Sequence, residues 1–262
     1  MLALDRSRCD VTDPAAVHQA LVDSEAEIIF NAAAFTSVDR AEAEPGAAEI
    51  INARAPGTIA ETARDNGARL IHLSTDYVFD GSSGRPYRAD DPAEPLGVYG
   101  RTKRAGERAV LEADPAALVV RTAWVFGDTA ANFVPAMLRL MRERERLDIV
   151  ADQLSTPTYA LSLATALWSL AAARARGIHH FTDAGTASRY DQAIALQEDA
   201  LALGLLDRAC EIVPIRTEDY PTPARRPLYS VLDKTDTWAV TGIPPHWRVN
   251  LRDCLRAMAR NG

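Results

Sequence analysis

Cysteine is scarce in this 262-residue chain: Cys9, Cys210 and Cys254 are odd in number, far apart and form no C-x-x-C. That excludes a disulfide framework and a zinc-ligand spacing, and it points to a reduced, cytoplasmic setting. Long apolar runs are missing too. No stretch approaches the roughly 18 apolar residues of a membrane span, and the opening MLALDRSRCD mixes acids and bases where an export signal needs an apolar core. The expectation is a soluble chain with no membrane partner. Basic runs are absent: 29 Lys and Arg stand against 36 Asp and Glu, a net charge of −7, which excludes an electrostatic nucleic-acid footprint. Repeats and low-complexity tracts are absent as well, and no glycine-rich phosphate turn occurs before Gly46.

What is present reads as repeated βα units. Short runs rich in β-branched residues at 2–5, 27–31, 69–74, 117–121, 147–151 and 178–182 alternate with Ala-rich amphipathic segments. Those segments predict helices at 13–23, 45–66, 100–113, 130–145, 159–175 and 189–204. The alternation implies an α/β fold around a mostly parallel sheet. Asp13-Pro14 supplies a helix start, and Gly67 and Gly177 supply left-handed stops. The Gly-, Pro- and Asp-rich stretch 81–97 is long enough for a functional crossing. Toward the C-terminus the pattern loosens, and PIRTEDYPTPARRPLYSVLD has neither a helical nor an alternating period. Residues 1–151 are expected to form the main domain, and 152–262 mainly a smaller, irregular lobe with some segments returning to the sheet.

Tyr99 and Lys103 carry the most chemistry. In VYGRTKRAGE they are four positions apart, so a helix would place both on one face. A free tyrosine, with a pKa of about 10, handles protons poorly near neutrality, and an adjacent ammonium favours the phenolate. A hydroxyl at Thr75, within STDYVF at the end of a buried strand, would bond the same substrate oxygen. Taken alone, the spacing is equally that of a solvent-facing Tyr and Lys one turn apart.

Four segments in order strengthen the reading: NAAAFTSVDRAE (31–42), STDYVFDG (74–81), YGRTKRAGE (99–107) with RTAWVFG (121–127), and PTPARRPLYSVLD (221–233). Together they resemble the dTDP-4-dehydrorhamnose reductases of the extended short-chain dehydrogenase superfamily, over nearly the whole chain. DQLSTPT (152–158) narrows the resemblance to reductases of nucleotide-linked 4-keto sugars. The resemblance implies a Rossmann-like, doubly wound parallel sheet binding a dinucleotide over 1–151, with the smaller lobe serving the substrate. It implies reduction of a dTDP-linked 4-keto-6-deoxy sugar, foremost dTDP-4-dehydrorhamnose to dTDP-L-rhamnose, by hydride from NADPH or NADH. A homodimer is compatible with it. Magnesium is too, although the family's metal-holding glutamates match no positions here.

The residue roles follow from the same resemblance. Thr75, Tyr99 and Lys103 form the catalytic set: Tyr99 protonates the C4 oxygen, and Lys103 lowers its pKa and bonds the nicotinamide ribose. Asp5 meets the adenosine ribose, Asp10 and Val11 flank the adenine, and Ala34, Phe35 and Thr36 line the path inward. Leu73 contributes its backbone. Thr75 and Asp76 contact the sugar, Trp124 offers it an apolar face, and Arg225 or Arg226 takes the diphosphate. Plainer readings stay open beside these. Small alanines pack helices on strands, Thr75-Asp76 caps a strand end, Trp124 fills a core, and an arginine pair decorates a surface. Arg6 and Arg8 suit a 2′-phosphate or a solvated turn. His72, His179 and His180 lack ligand spacing and are expected to be packed or to lie at a solvent edge.

The family's opening strand and G-x-x-G-x-x-G turn have no counterpart in this sequence, which begins on what corresponds to the second strand. Since the first strand is central, the expectation is a slot flanked by two unpaired edges. Two explanations stay open: a start placed too late, or a variant that has lost dinucleotide binding. The second would make the chain a non-catalytic or regulatory nucleotide-sugar or dinucleotide-binding protein of the same fold.

Overall fold

The computed structural model describes residues 2–128 and 132–261. Asp13 caps α1 (Pro14–Ser24), its carboxylate accepting the Ala15 N–H at 2.9 Å, with proline in the first turn. β1 (Ile28–Asn31) leads to α2 (Val38–Ala43) and α3 (Pro45–Glu49). A π-helical turn at Ile50–Arg54 then passes into α4 (Ala55–Asp65), so the single helix expected over 45–66 is broken. The break has a local cause. Pro56 has no N–H for the Asn52 carbonyl, and the α ladder cannot continue through it. β2 (Arg69–Thr75) ends in a 3-10 turn at Asp76–Val78, and α5 (Val98–Ala113) starts two residues earlier than expected, taking Tyr99 into the helix.

The second half supplies β3 (Leu118–Thr122), β4 (Val125–Phe126), α6 (Phe133–Glu143), β5 (Arg146–Val150), β6 (Leu154–Ser155) and β7 (Thr158–Tyr159). After these come α7 (Ala160–Ala172), β8 (Gly177–His180), β9 (Ala187–Ser188), α8 (Arg189–Ala202), β10 (Glu211–Ile215), α9 (Thr235–Thr241) and α10 (Trp247–Asn261). Residues 130 and 131 of the helix expected at 130–145 lie outside the described residues.

β1, β2, β3 and β8 form one parallel sheet in that order, with Phe30 opposite Ile71, Leu73 opposite Val120 and Val119 opposite Ile178. Parallel neighbours need crossovers, and these cover both faces. One face packs Leu70 and Val119 against Val17, Ile59, Ala63 and Val110; the other packs Ile71, Leu118 and Val120 against Leu163, Leu167 and Leu170 of α7. The fold is thus a doubly wound, Rossmann-like α/β sheet. β5 pairs with β10 instead of joining it, and the two sit beside a separate core of Met137, Leu138, Leu196, Leu251 and Leu255 from α6, α8 and α10. No helix among the described residues is long and apolar enough to cross a membrane.

The strand expected at 2–5 is not formed. A strand exists through its ladder, and β1, its potential neighbour on that side, is bonded to β2 alone. Asp5 instead closes a turn, its carbonyl accepting the Arg8 and Cys9 N–H groups at 3.1 and 3.0 Å. Between this segment and β1 runs a groove of about 1020 Å³, lined by Leu2, Leu4, Leu21, Phe30 and Trp168.

Candidate active site

Ligand sites of parallel sheets form at the carboxyl ends of the strands, and distant segments meet at that end of β2. The Thr75 hydroxyl accepts the Tyr77 N–H and donates to Asp76 Oδ1, each at 3.2 Å, so the strand-capping reading of this pair is realised. Asp76, 1% exposed, accepts further hydrogen bonds from Ser155 at 2.9 Å and from Ser230. Burial lifts its carboxyl to about 6, against the pull of the Ser230, Ser155 and Thr75 hydroxyls and the Arg189 guanidinium.

Two glycines bring α5 onto this strand end. A Cβ on Gly100 would fall 2.1 Å from the Tyr77 carbonyl oxygen, and one on Gly106 would fall 2.0 Å from that of Asn52. The helix therefore lays Tyr99 near Thr75, whose hydroxyl acts to lower the phenol's pKa, with the Tyr77 ring edge-on at 5.8 Å. Lys103 shares the helix face but not the partner. Its Nζ donates to the Leu73 carbonyl at 2.6 Å and stands 3.4 Å from His72 Nε2, while His72 Nδ1 faces the Asn31 amide at 3.1 Å. Burial lowers the Lys103 ammonium to about 8, with Glu107 opposing. Lys103, expected to lower the Tyr99 pKa, is turned to the β2 backbone and is not among the groups acting on that phenol. The backbone of β2 holds the ammonium, and burial raises the phenol above its ordinary range in spite of Thr75.

A cavity of about 570 Å³ opens between residues 4–12 and the end of β1. It brings together Asp5, Asp10, Val11 and Ala34, with Ala32 and Ala33 as a flat wall. Hydrogen bonds from Ser7 lower the Asp5 carboxyl, and those from Thr12 lower that of Asp10, so both present acceptors suited to ribose hydroxyls. An alanine wall with acceptors at its rim fits the adenosine half of a dinucleotide. Arg6 lies 4.0 Å from Asp10, and Arg8 donates to the Ala3 carbonyl. The other expected contacts stand off this cavity. Phe35 is gripped through its backbone by Asn52, at 2.8 and 3.1 Å; Thr36 is exposed; the Leu73 carbonyl is taken by Lys103.

Trp124 is half-buried, with a left-handed φ of 45° for a non-glycine residue. One face of its ring is covered by the Arg189 guanidinium, 3.7 Å from the ring centre. The two neighbouring arginines differ sharply. Arg226 pairs with Asp39 at 2.7 Å and also donates to Thr222 and the Ala224 carbonyl, tying segment 221–233 to segment 31–42. Arg225 is exposed, and its side chain makes no hydrogen bond or ion pair among the described residues. His72 and His180 are buried. No group of three His, Cys, Asp or Glu able to hold a metal occurs among the described residues.

Several residues of the site escape sequence reasoning. Ser155 and Ser230 lie inside quoted motifs without standing out from them. Asn52, buried in the π-helical turn, bonds both Phe35 and Thr102, and its signal is a lone amide in an apolar run. Beneath the site Arg121 and Glu107, 1% and 0% exposed, pair twice at 2.8 Å, and the Ser74 hydroxyl donates to Glu107 at 2.6 Å.

Comparison with known proteins follows this geometry. The family model described as "RmlD substrate binding domain" matches residues 1–260. A dTDP-4-dehydrorhamnose reductase of Mycobacterium tuberculosis is 44% identical over 269 residues, covering 100% of this chain and 86% of the relative. A probable dTDP-4,6-dihydroxy-2-methyloxan-3-one 4-ketoreductase of Streptomyces antibioticus is 43% identical over 259 residues, covering 97% and 85%. The crystal structure of a dTDP-4-dehydrorhamnose reductase from Bacillus anthracis in complex with NADP superposes with a TM-score of 0.91 at 32% identity, covering 97% of this chain and 89% of that one.

Proposed function

The chain belongs to the dTDP-4-dehydrorhamnose reductase family, and from that membership and the site we propose that it reduces the 4-keto group of a dTDP-linked 4-keto-6-deoxy sugar, foremost dTDP-4-dehydrorhamnose to dTDP-L-rhamnose. The observation that carries the reading is the convergence of Tyr99, on the start of α5, with Thr75 and buried Asp76 at the carboxyl end of β2, where Gly100 lets the helix press on the Tyr77 carbonyl. NADPH or NADH, when bound, supplies the hydride; Asp5, Asp10, Val11 and Ala34 would hold its adenosine half. Burial keeps the Tyr99 phenol protonated, so Tyr99 is the proton donor to the carbonyl oxygen as negative charge develops there. Thr75 donates to the same oxygen and fixes its direction. Transfer leaves a buried phenolate, and Lys103, one turn away on the same helix face, is the cation that compensates it. Asp76, braced by Ser155 and Ser230, receives the sugar hydroxyls, and Trp124 packs against the ring.

The test follows oxidation of NADPH and of NADH by the purified chain with dTDP-4-dehydrorhamnose. Turnover is expected, with a loss of about 10²-fold or more in Tyr99→Phe. Normal turnover by Tyr99→Phe would remove the proposed donor. Nucleotide binding without turnover would favour the non-catalytic binding protein instead. The Streptomyces antibioticus relative makes the second substrate of choice a different dTDP-linked ketone, since identity of this order does not separate the two.

A further inference from the structure

Arg189 opens α8, directly after the N-cap Ser188 and inside the capping box that Ser188 forms with Asp191. Its guanidinium lies 3.7 Å from the centre of the Trp124 ring and 4.8 Å from that of Phe133. Its side-chain hydrogen bond goes from Nη1 to Gln192 Oε1 at 3.1 Å, a neutral acceptor. No carboxylate among the described residues comes within the 4.0 Å of an ion pair. Arg121 and Arg226 by contrast hold carboxylates at 2.8 and 2.7 Å. A half-buried guanidinium without a counter-anion is costly. Burial lowers its pKa to about 10, with Tyr77 and Asp76 opposing and Arg226 adding to the strain. Two cations thus face the same region, and one of them has no anion.

We propose that Arg189 recognises the sugar-linked phosphate of the substrate, its fork taking the phosphate oxygens while its plane stays stacked on Trp124. The inference rests on the nucleotide-sugar reading above. In such a substrate the diphosphate joins C1, across the ring from C4. Thr75 and Tyr99 mark the C4 end. Ser155, which donates to Asp76, lies on β6, and β6 pairs with β9, the strand that ends at Ser188 directly before Arg189, so Arg189 sits on the Asp76 side of the pocket, where the C1 end would lie. The sugar ring would then be a further neighbour of Trp124, beside the guanidinium already stacked on it. Of the arginines, Arg226 is committed to Asp39, and exposed Arg225 lacks the enclosure that makes a guanidinium selective.

Calorimetric titration of the full chain with dTDP and dTMP tests this, because only dTDP carries the second, sugar-linked phosphate. The wild type should prefer dTDP, and Arg189→Gln should weaken dTDP binding by about tenfold or more while leaving dTMP nearly unchanged. A structural defect would weaken both alike. An unchanged preference in Arg189→Gln, or its loss in Arg225→Gln instead, overturns the assignment and leaves the nucleotide-sugar reading standing. A wild-type chain that binds neither nucleotide overturns that reading and the inference with it. Should the glutamine variant not fold, Arg189→Lys carries the test: an ammonium lacks the fork, so its preference must fall, and an unchanged one is equally fatal.

Discussion

The wall made by β2, α5 and β3 and the edge made by residues 2–13 with β1 belong to one molecule but are held by different forces. In the wall, charged groups are sealed away from water: Arg121 locks Glu107, Ser74 adds to it, and Lys103 is bound by a strand carbonyl. At the edge, Asp5, Ser7, Asp10 and Thr12 satisfy one another within exposed turns, and β1 is hydrogen-bonded on one side only. On the function proposed above, the wall would hold the proton-handling groups and the edge would receive the cofactor's adenosine, so the sealed part of the molecule and the exposed part would serve different steps.

Four measurements break or sharpen that contrast. Arg121→Leu leaves buried Glu107 with only Ser74 and the partly exposed Arg104 as partners and should cost about 3 kcal/mol in denaturant unfolding; a stability equal to the wild type would erase the wall's distinction. Gly106→Ala drives a methyl into the Asn52 carbonyl and should cost about 1–3 kcal/mol, lifting α5 away from the site. The third is acid lability. Burial, then the Arg121 cation, holds the His180 imidazole at about 3, below its ordinary 6.5. The unfolded chain therefore takes up that proton first. Stability from His180 is complete above pH 6.5 and drains as pH falls toward 3, by about 1.4 kcal/mol per unit. His180→Phe should flatten that limb in unfolding curves compared across pH. The smallest effect belongs to the edge: Asp5→Asn should weaken NADPH binding by about threefold to tenfold and leave the melting temperature in place.

Much of the wall was legible in the sequence because burial on both faces writes itself as unbroken apolar runs. The run at 69–74 became Arg69–Thr75, and that at 117–121 became Leu118–Thr122. The edge misled for the opposite reason: 2–5 has a strand's composition but no neighbour to pair with. β10 stayed hidden because Pro214 argues against a strand, and a two-stranded pair tolerates it. α10 was readable and missed. Trp247, Leu251, Cys254 and Leu255 recur at helical spacing, interleaved with arginines at every fourth position. In the site, local spacing could suggest that Tyr99 and Lys103 share a face, but not that a backbone carbonyl would claim the lysine. Nor does any spacing encode Ser155 and Ser230, which reach Asp76 across 79 and 154 positions.

That last contact also sets an order in time. Thr75 and Tyr99 are neighbours in an early half of the chain, and their strand and helix can associate as soon as both are synthesised. Asp76 gains its second serine only when residue 230 arrives, and closing so long a loop comes after local contacts have formed. The nascent chain therefore carries Thr75 and Tyr99 together long before Ser230 can reach Asp76.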